Sequence, residues 1–364
     1  MKNKLFGLFI LAITLFSFNS CEEDIELTGG FEETAVVYGL LDQSDSLHLI
    51  KITRAFIGDG AGSALVFATI PDSNYFNSVT GTVTEYINGI PARVFNLKDT
   101  MIPNKDPNGV FYAPEQKMYY FETVPSSPLI GTAEYRLNLS INNGEFNVNG
   151  ATFPVNGMSE GISGQNQPYR FMQSNGDYQT TLVTVQSGNS YQINTTLTVE
   201  FTEWVGTTPT VKTFNWNLGE KQTSPSNSES FNAIGQTFYE LIKSNCSNDP
   251  TITRRTFNSI TTTVTGGSED LYNYILVNEP SSSLAQTKPT FTNLTATKGH
   301  PVVGIFSSRQ SLSSRREFVD PSGNQFIRVI NTLSTEELCT GSITGGLLFC
   351  SDNTGDTGQS WFCP

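Results

Sequence analysis

Histidine is nearly absent from this sequence: His48 and His300 are the only two in 364 residues. Imidazole is the commonest general base and metal ligand, so most familiar catalytic and metal sites have little to build on. There is no H-E-x-x-H pair, no phosphate-binding glycine loop and no C-x-x-C metal spacing. His48 sits inside a strand-like run and His300 precedes Pro301, and both read as structural or surface residues. Cations are scarce as well, with 21 Lys and Arg against 34 Asp and Glu. Such a balance repels phosphate backbones and excludes nucleic acid as a partner. Long apolar runs are missing except at the start, where Leu5 to Phe18 carries no charge. That run is shorter than the roughly 20 residues that span a bilayer. Cysteine occurs once, at Cys21, before Cys246.

What is present at the N-terminus is a leader. Lys2 and Lys4 form a basic head, the apolar run follows, and Asn19 and Ser20 precede Cys21. This is the layout of a secretory signal. With Cys21 at the cut it resembles a bacterial lipobox, in which the cysteine becomes the acylated first residue, although Phe18 stands where leucine is usual. Glu22, Glu23, Asp24 and Glu26 follow, and this acidic cluster resembles the surface-export signal of Bacteroidota lipoproteins. The reading is therefore a signal peptide over 1–20 and an acylated acidic tether over 21–33. The protein is expected in the outer membrane, lipid-anchored and facing outward.

Removing residues 1–20 leaves 344 of the 364 residues, enough for two domains. Two of the 21 cations lie in the signal, so the remainder carries 19 cations, 34 acids and a net charge of −15. Only lipid at Cys21 is expected to hold such a body to a membrane, and stable anchoring takes more than one acyl chain. Cys246, Cys339, Cys350 and Cys363 are an even number in an exported chain and read as two disulfides. Of the three possible connectivities, Cys339–Cys350 with Cys246–Cys363 is favoured. No metal site and no cofactor is expected.

Short strands dominate the pattern. Ala35 to Leu41 is a buried-type run, and Leu47 to Phe56 resumes after a turn. Thr80 to Ile87 and Ala92 to Leu97 flank Asn88-Gly89, a strong signal for a type I′ hairpin. Lys117 to Thr123 is aromatic-rich, and Tyr135, Leu137, Leu139 and Ile141 alternate with polar residues. An immunoglobulin-like β-sandwich over 34–155 is predicted. Asn156 to Gln167 is glycine-rich and reads as a linker. A second β-rich domain is predicted over 168–364, with one or two helices and a disulfide-stapled C-terminus. Its strands include Tyr191 to Phe201, Val211 to Leu218, Arg254 to Thr265 and Pro301 to Ser307, with a terminal hairpin over 315–319 and 325–330. Ser226 and Glu229 fit a capping box and predict a helix over 229–245, with a second short helix over 269–277 and one helical turn at Thr335 to Leu338.

Candidate chemistry is thin. Glu200 and Glu203 are the acids nearest each other on the longest strand, but odd spacing puts them on opposite faces. Asn104, Asp106 and Asn108 form an oxygen-rich loop, as do Asp352, Asn353 and Asp356, and both read as solvated turns rather than calcium loops. Asp45-Ser46-Leu47 and Asp99-Thr100-Met101 resemble the O-glycosylation tripeptide of Bacteroidota. Phe111-Tyr112, Tyr119-Tyr120-Phe121, Trp204 and Trp216 suit a binding surface or a sandwich core.

Several stretches occur in an order that resembles one family. They are Ala35-Val36-Val37-Tyr38-Gly39-Leu40-Leu41, Tyr272-Asn273-Tyr274, Thr292-Asn293-Leu294, Gly304-Ile305-Phe306-Ser307 and the tail from Cys339 to Cys350. The chain resembles a Bacteroidota outer-membrane surface lipoprotein family of unknown function, often encoded beside TonB-dependent transporters. The tail departs from that family's closely spaced cysteine pair, so no disulfide pattern is carried over. The resemblance implies an immunoglobulin-like sandwich, a second β-rich domain and a place on the cell surface, and it brings no catalytic residues. The expected function is a non-enzymatic accessory or binding subunit of an outer-membrane complex, with a β-barrel transporter as partner. Alternatives are a subunit of an assembly or secretion machinery, or a surface glycan hydrolase using two carboxylates.

Replacing Cys21 with Ala is expected to release the protein from the membrane fraction. Protease added to intact cells should digest the wild type, and survival of the protein in that assay would reject the outward orientation.

Overall fold

A computed structural model describes residues 33–55, 66, 68–103, 105–109, 111–162, 167–278, 290–317 and 328–364. Cys21, Glu22, Glu23, Asp24 and Glu26 lie outside the described residues, as does most of the expected hairpin over 315–330. Residues 34–364 form one compact unit, mainly β and built on two cores.

The first core belongs to the sandwich. β1 (Thr34–Asp42), β2 (Leu47–Ala55), β6 (Gln116–Glu122) and β5 (Lys98–Ile102) pair in that order in one sheet. β4 (Ile90–Asn96), β3 (Val79–Ile87), β7 (Glu134–Ile141) and β8 (Phe146–Thr152) form the other. Taken in chain order these are strands A, B, E and D against C′, C, F and G, the immunoglobulin-like arrangement. Alternation drives the packing. Ala35, Val37 and Leu41 of β1, Ile50 and Ile52 of β2, and Tyr135, Leu137, Leu139 and Ile141 of β7 all point inward and are buried. The Asn88-Gly89 hairpin forms as its sequence requires, with φ of 51° and 78°. Tyr135 opens strand F, and its hydroxyl accepts from Ile130 N at 2.7 Å and donates to Glu85 Oε2 at 2.5 Å. That geometry is a tyrosine corner.

The second core lies on the extension of the same sheet. β11 (Gln192–Val205), β12 (Thr208–Gln222), β14 (Arg254–Gly267) and β16 (Val302–Glu317) continue it in the order β12-β11-β14-β16-β1. A small sheet of β13 (Ser228–Ile234), β10 (Thr180–Gln186) and β9 (Ser159–Ile162), together with α1 (Gly235–Asn245), supplies the other half of that core. Phe171 and Phe238 stack at its centre with ring centroids 4.1 Å apart. Two further helices are α2 (Glu269–Asn278) and α3 (Thr332–Thr340).

The seam between the halves is the parallel pairing of β1 with β16, from Ala35↔Val302 to Asp42↔Arg309. Gly304 makes it possible. Its φ is +105°, and a Cβ there would overlap the Val37 carbonyl. The C-terminal half also lends residues to the sandwich. β15 (Thr295–Ala296) adds to the edge of β8, and Leu294 and Phe306 are buried in the first core.

Three expectations are corrected. Within the expected linker, the described residues 156–162 are packed into the body. Asn156 donates from its backbone to Asn189 Oδ1 at 2.7 Å, Met158 packs in the second core, and Ser159–Ile162 is strand β9. The sandwich is completed by residues after 290, so the boundaries 34–155 and 168–364 do not separate two bodies. The helix expected over 229–245 starts at Gly235. Residues 228–234 pair with β10 instead, because Phe231 and Ala233 alternate into the core and Glu229 accepts from Thr223 Oγ1 at 3.0 Å. Ser226, the supposed cap, has φ 65° and ends a turn.

The third correction concerns cysteine. Cys350 is bonded to Cys363, while Cys246 and Cys339 are free thiols. Ser351 and Phe362 form a parallel bridge, which brings the Cα atoms of the flanking cysteines to 4.9 Å, inside the range a disulfide needs. Cys339 instead lies buried in α3, and Cys246 caps α1 beside Glu203 and Arg255. Burial raises the thiol pKa of Cys246 to about 11 and of Cys339 to about 12, which keeps both protonated and unreactive. In the Cys21→Ala chain, thiol titration after unfolding without reductant should find two thiols, rising to four after reduction. A count of zero before reduction would overturn this pairing.

Candidate binding groove on the outer sheet face

The residues opposite the buried set of the five-stranded sheet form an open groove of about 530 Å³. Alternation places them there: the strands that send Tyr135, Leu137 and Leu139 inward send Arg136 and Asn138 outward. Register then lines up polar side chains across four strands. Thr82 of β3 lies opposite Asn138 of β7, Asn138 opposite Asn149 of β8, and Asn149 opposite Thr295 of β15. Asn138 Nδ2 donates to Asn149 Oδ1 at 2.8 Å. The next row holds Thr84 and Arg136, whose guanidinium lies 4.0 Å from the Tyr86 ring centroid. Arg136 also donates to Glu134 Oε2 from Nε at 3.0 Å and from Nη2 at 2.7 Å, and this bonding raises its pKa.

The groove is thus charge-balanced and rich in hydroxyl and carboxamide groups. Each can donate or accept a hydrogen bond, which suits a neutral polar ligand or an extended peptide. It holds no nucleophile beside a base. The sequence signal for it was the polar half of the Tyr135 to Ile141 alternation.

The acids named as candidates are occupied elsewhere. Glu203 is buried, 3.0 Å from Arg255 Nε, and accepts from Ser247 N at 2.8 Å and Ser247 Oγ at 2.6 Å. Burial opposes its charge, but these partners outweigh it and hold its pKa below the usual range. Glu200 is on the opposite face, paired with Arg315 at 3.0 Å and likewise lowered, first by that hydrogen bond. Neither is poised to donate a proton at neutral pH.

The oxygen-rich loops are spent internally. Asp106 Oδ1 accepts from Asn108 N at 2.9 Å in a local turn, and Asn104 lies outside the described residues. Asp356 is buried against Arg328 and accepts from Ser351 Oγ at 2.6 Å, while Asn353 accepts from Gly355 N at 2.8 Å. Among the described residues no cluster of three or more His, Cys, Asp or Glu could hold a metal ion. Three of the aromatic candidates are core: Tyr119 and Phe121 in the sandwich, Trp216 in the second core. Trp204 is half-buried under Arg254 at 4.5 Å, Tyr112 and Tyr120 are half-buried, and Phe111 is exposed.

Gly157-Met158-Ser159-Glu160-Gly161 spells G-x-S-x-G, the string of a nucleophile elbow. An elbow is a sharp strand-to-helix turn, whereas Ser159 opens β9 and pairs with Gln186 in an antiparallel ladder. The serine has no elbow geometry.

No family model matches the chain, and no curated protein matches it.

His48 is the one histidine in a defined buried site. It is 2 % exposed, stacks on Phe121 at 4.6 Å and has Nε2 at 3.3 Å from Thr123 Oγ1. Desolvation lowers its pKa to about 4, outweighing the opposing effect of Asp42. The folded state therefore holds His48 neutral where the unfolded chain, near 6.5, binds a proton. This contribution to stability is intact above pH 6.5 and is lost as the pH falls from 6.5 toward 4. Between pH 7 and 5.5 the loss should be about 1 kcal/mol. Urea unfolding of wild type and His48→Gln at those two pH values measures it, and an equal pH dependence in both would reject the assignment.

Proposed function

We propose that this chain is a surface-exposed outer-membrane lipoprotein that acts as a non-enzymatic accessory or binding subunit of an outer-membrane complex, with a TonB-dependent transporter as partner. The observation that carries the reading is the leader itself: an uncharged run from Leu5 to Phe18, Cys21 at the cut, and acids at 22, 23, 24 and 26. A lipid at Cys21 would hold the folded body beside membrane proteins and make weak contacts effectively intramolecular. The resemblance to the surface lipoprotein family supports the same reading. So does the groove, which offers hydrogen bonds without a reactive group, and so do Glu200 and Glu203, each neutralised by an arginine.

Affinity purification from detergent-solubilised outer membrane is the test. Co-purification of a large β-barrel protein at fixed stoichiometry is expected. A chain that elutes alone and cleaves polysaccharide would overturn the proposal in favour of a hydrolase.

A further inference from the structure

A helix normally buries its apolar side. α2 carries Leu271, Tyr272, Tyr274, Ile275, Leu276 and Val277 in seven consecutive positions, yet none of its residues is buried. One side rests on β16, where Ile305, opposite Tyr38, is 2 % exposed. The other side carries Glu269 and Asn273 as well as Leu276, which is 52 % exposed.

The direction of α2 follows from its contacts. Ser268 N donates to Ser308 O at 3.1 Å, and Ser308 is level with Leu41 in the seam. Six residues later, the Tyr274 hydroxyl meets that of Tyr38 at 2.9 Å. α2 therefore runs antiparallel to β1, and its last turn points toward Thr34. Val303, opposite Val36, is exposed near the same end. Lys51 lies opposite Tyr38 on β2 and so shares its face of the sheet. Lys105 is near enough for the Lys51 charge to add to burial in lowering its pKa.

The geometry points to this face, formed by the outer side of α2 with Tyr38 and Val303, as a second contact with the lipid surface that holds Cys21. The inference rests on the lipid anchoring proposed above. Twelve residues, 22–33, join Cys21 to β1. Fully extended they reach about 40 Å, so the lipid plane lies within that distance of the end of β1 toward which the apolar face extends. Leu276, Ile275 and Val303 would enter the acyl boundary, with the tyrosine hydroxyls at headgroup level, where tyrosine is favoured. Lys51 and Lys105 sit beside the patch and match lipid phosphate, although the chain as a whole is acidic. The anchor makes the contact intramolecular, so modest insertion suffices.

The test uses the lipidated full chain carrying Leu276→Cys, labelled with a polarity-sensitive dye and reconstituted in phosphatidylethanolamine–phosphatidylglycerol vesicles. Leu182→Cys, exposed on the small sheet, serves as the control position. A blue shift and quenching by doxyl lipid are expected at 276 and not at 182. Hydrogen exchange of unlabelled wild type avoids the substitutions, and the amides of α2 should slow severalfold on anchoring. A chain that floats with the vesicles while position 276 stays as wet as position 182 overturns this inference alone. Shielding of 276 that needs an added β-barrel protein, without doxyl quenching, overturns it in favour of a protein partner. A chain that does not float overturns the anchoring reading and this one with it.

Discussion

The parallel pairing of β1 with β16 is the constraint on which the rest of the structure depends. Parallel neighbours need a crossover connection, and here the crossover is almost the entire chain, from Asp42 to Val302. Without that pairing the sheet would split between its sandwich half and its second half. The seam needs a residue that tolerates φ of +105° against the Val37 backbone, and Gly304 supplies it. Asn293 then locks the neighbouring backbone: Phe306 N donates to its Oδ1 at 3.0 Å, and its Nδ2 donates to Phe306 O at 2.8 Å. The stretches around Tyr38, Tyr274, Asn293 and Gly304 meet at this seam.

Charge is arranged under the same economy of cations. Four buried or nearly buried carboxylates each have an arginine within ion-pair distance: Glu85 with Arg93, Glu203 with Arg255, Asp356 with Arg328 and Asp42 with Arg309. A buried ion pair stabilises little unless its remaining lone pairs are satisfied. Here they are, by Tyr135, Ser247, Ser351 and Ser44 respectively. Arginine is well suited to this because its planar fork engages a carboxylate through two bonds, as Arg93 does with Glu85. Each pair removes one charge of either sign, so the excess of acids over cations is carried by the remaining residues. The Arg255 pair also has a topological role. Arg255 donates to Leu347 O at 2.6 Å, Arg255 N to Leu348 O and Cys350 N to Arg255 O, so the tail is laid along the start of β14.

The groove and the apolar face differ in kind. The first is polar, charge-balanced and formed by register across four strands. The second is a helix whose composition exceeds what the body covers. One offers directional hydrogen bonds and hence selectivity for a ligand, and the other offers non-directional burial.

Local signals determined much of this protein directly. Period-two alternation defined β7 and β11 because each has one buried face, and Asn88-Gly89 defined its hairpin because few residues accept positive φ twice in succession. The leader proposed to end at Cys21 likewise rests on consecutive residues alone. The polar groove was half legible, as the outward partners of an alternating strand, but its width depends on Thr82, Asn138, Asn149 and Thr295 coming level across four strands. Tertiary structure alone decided that register. It also decided that residues 228–234 extend rather than coil, since β10 offered a ladder that outweighed a local cap. It chose Cys350–Cys363 over the pairings suggested by spacing, because a bridge between residues 351 and 362 sets the sulfur positions. Above all it joined two apparent domains through β1 and β16. Such long-range pairing leaves no periodic trace in either strand, because a strand's pattern records which face is buried and not which chain segment lies beside it.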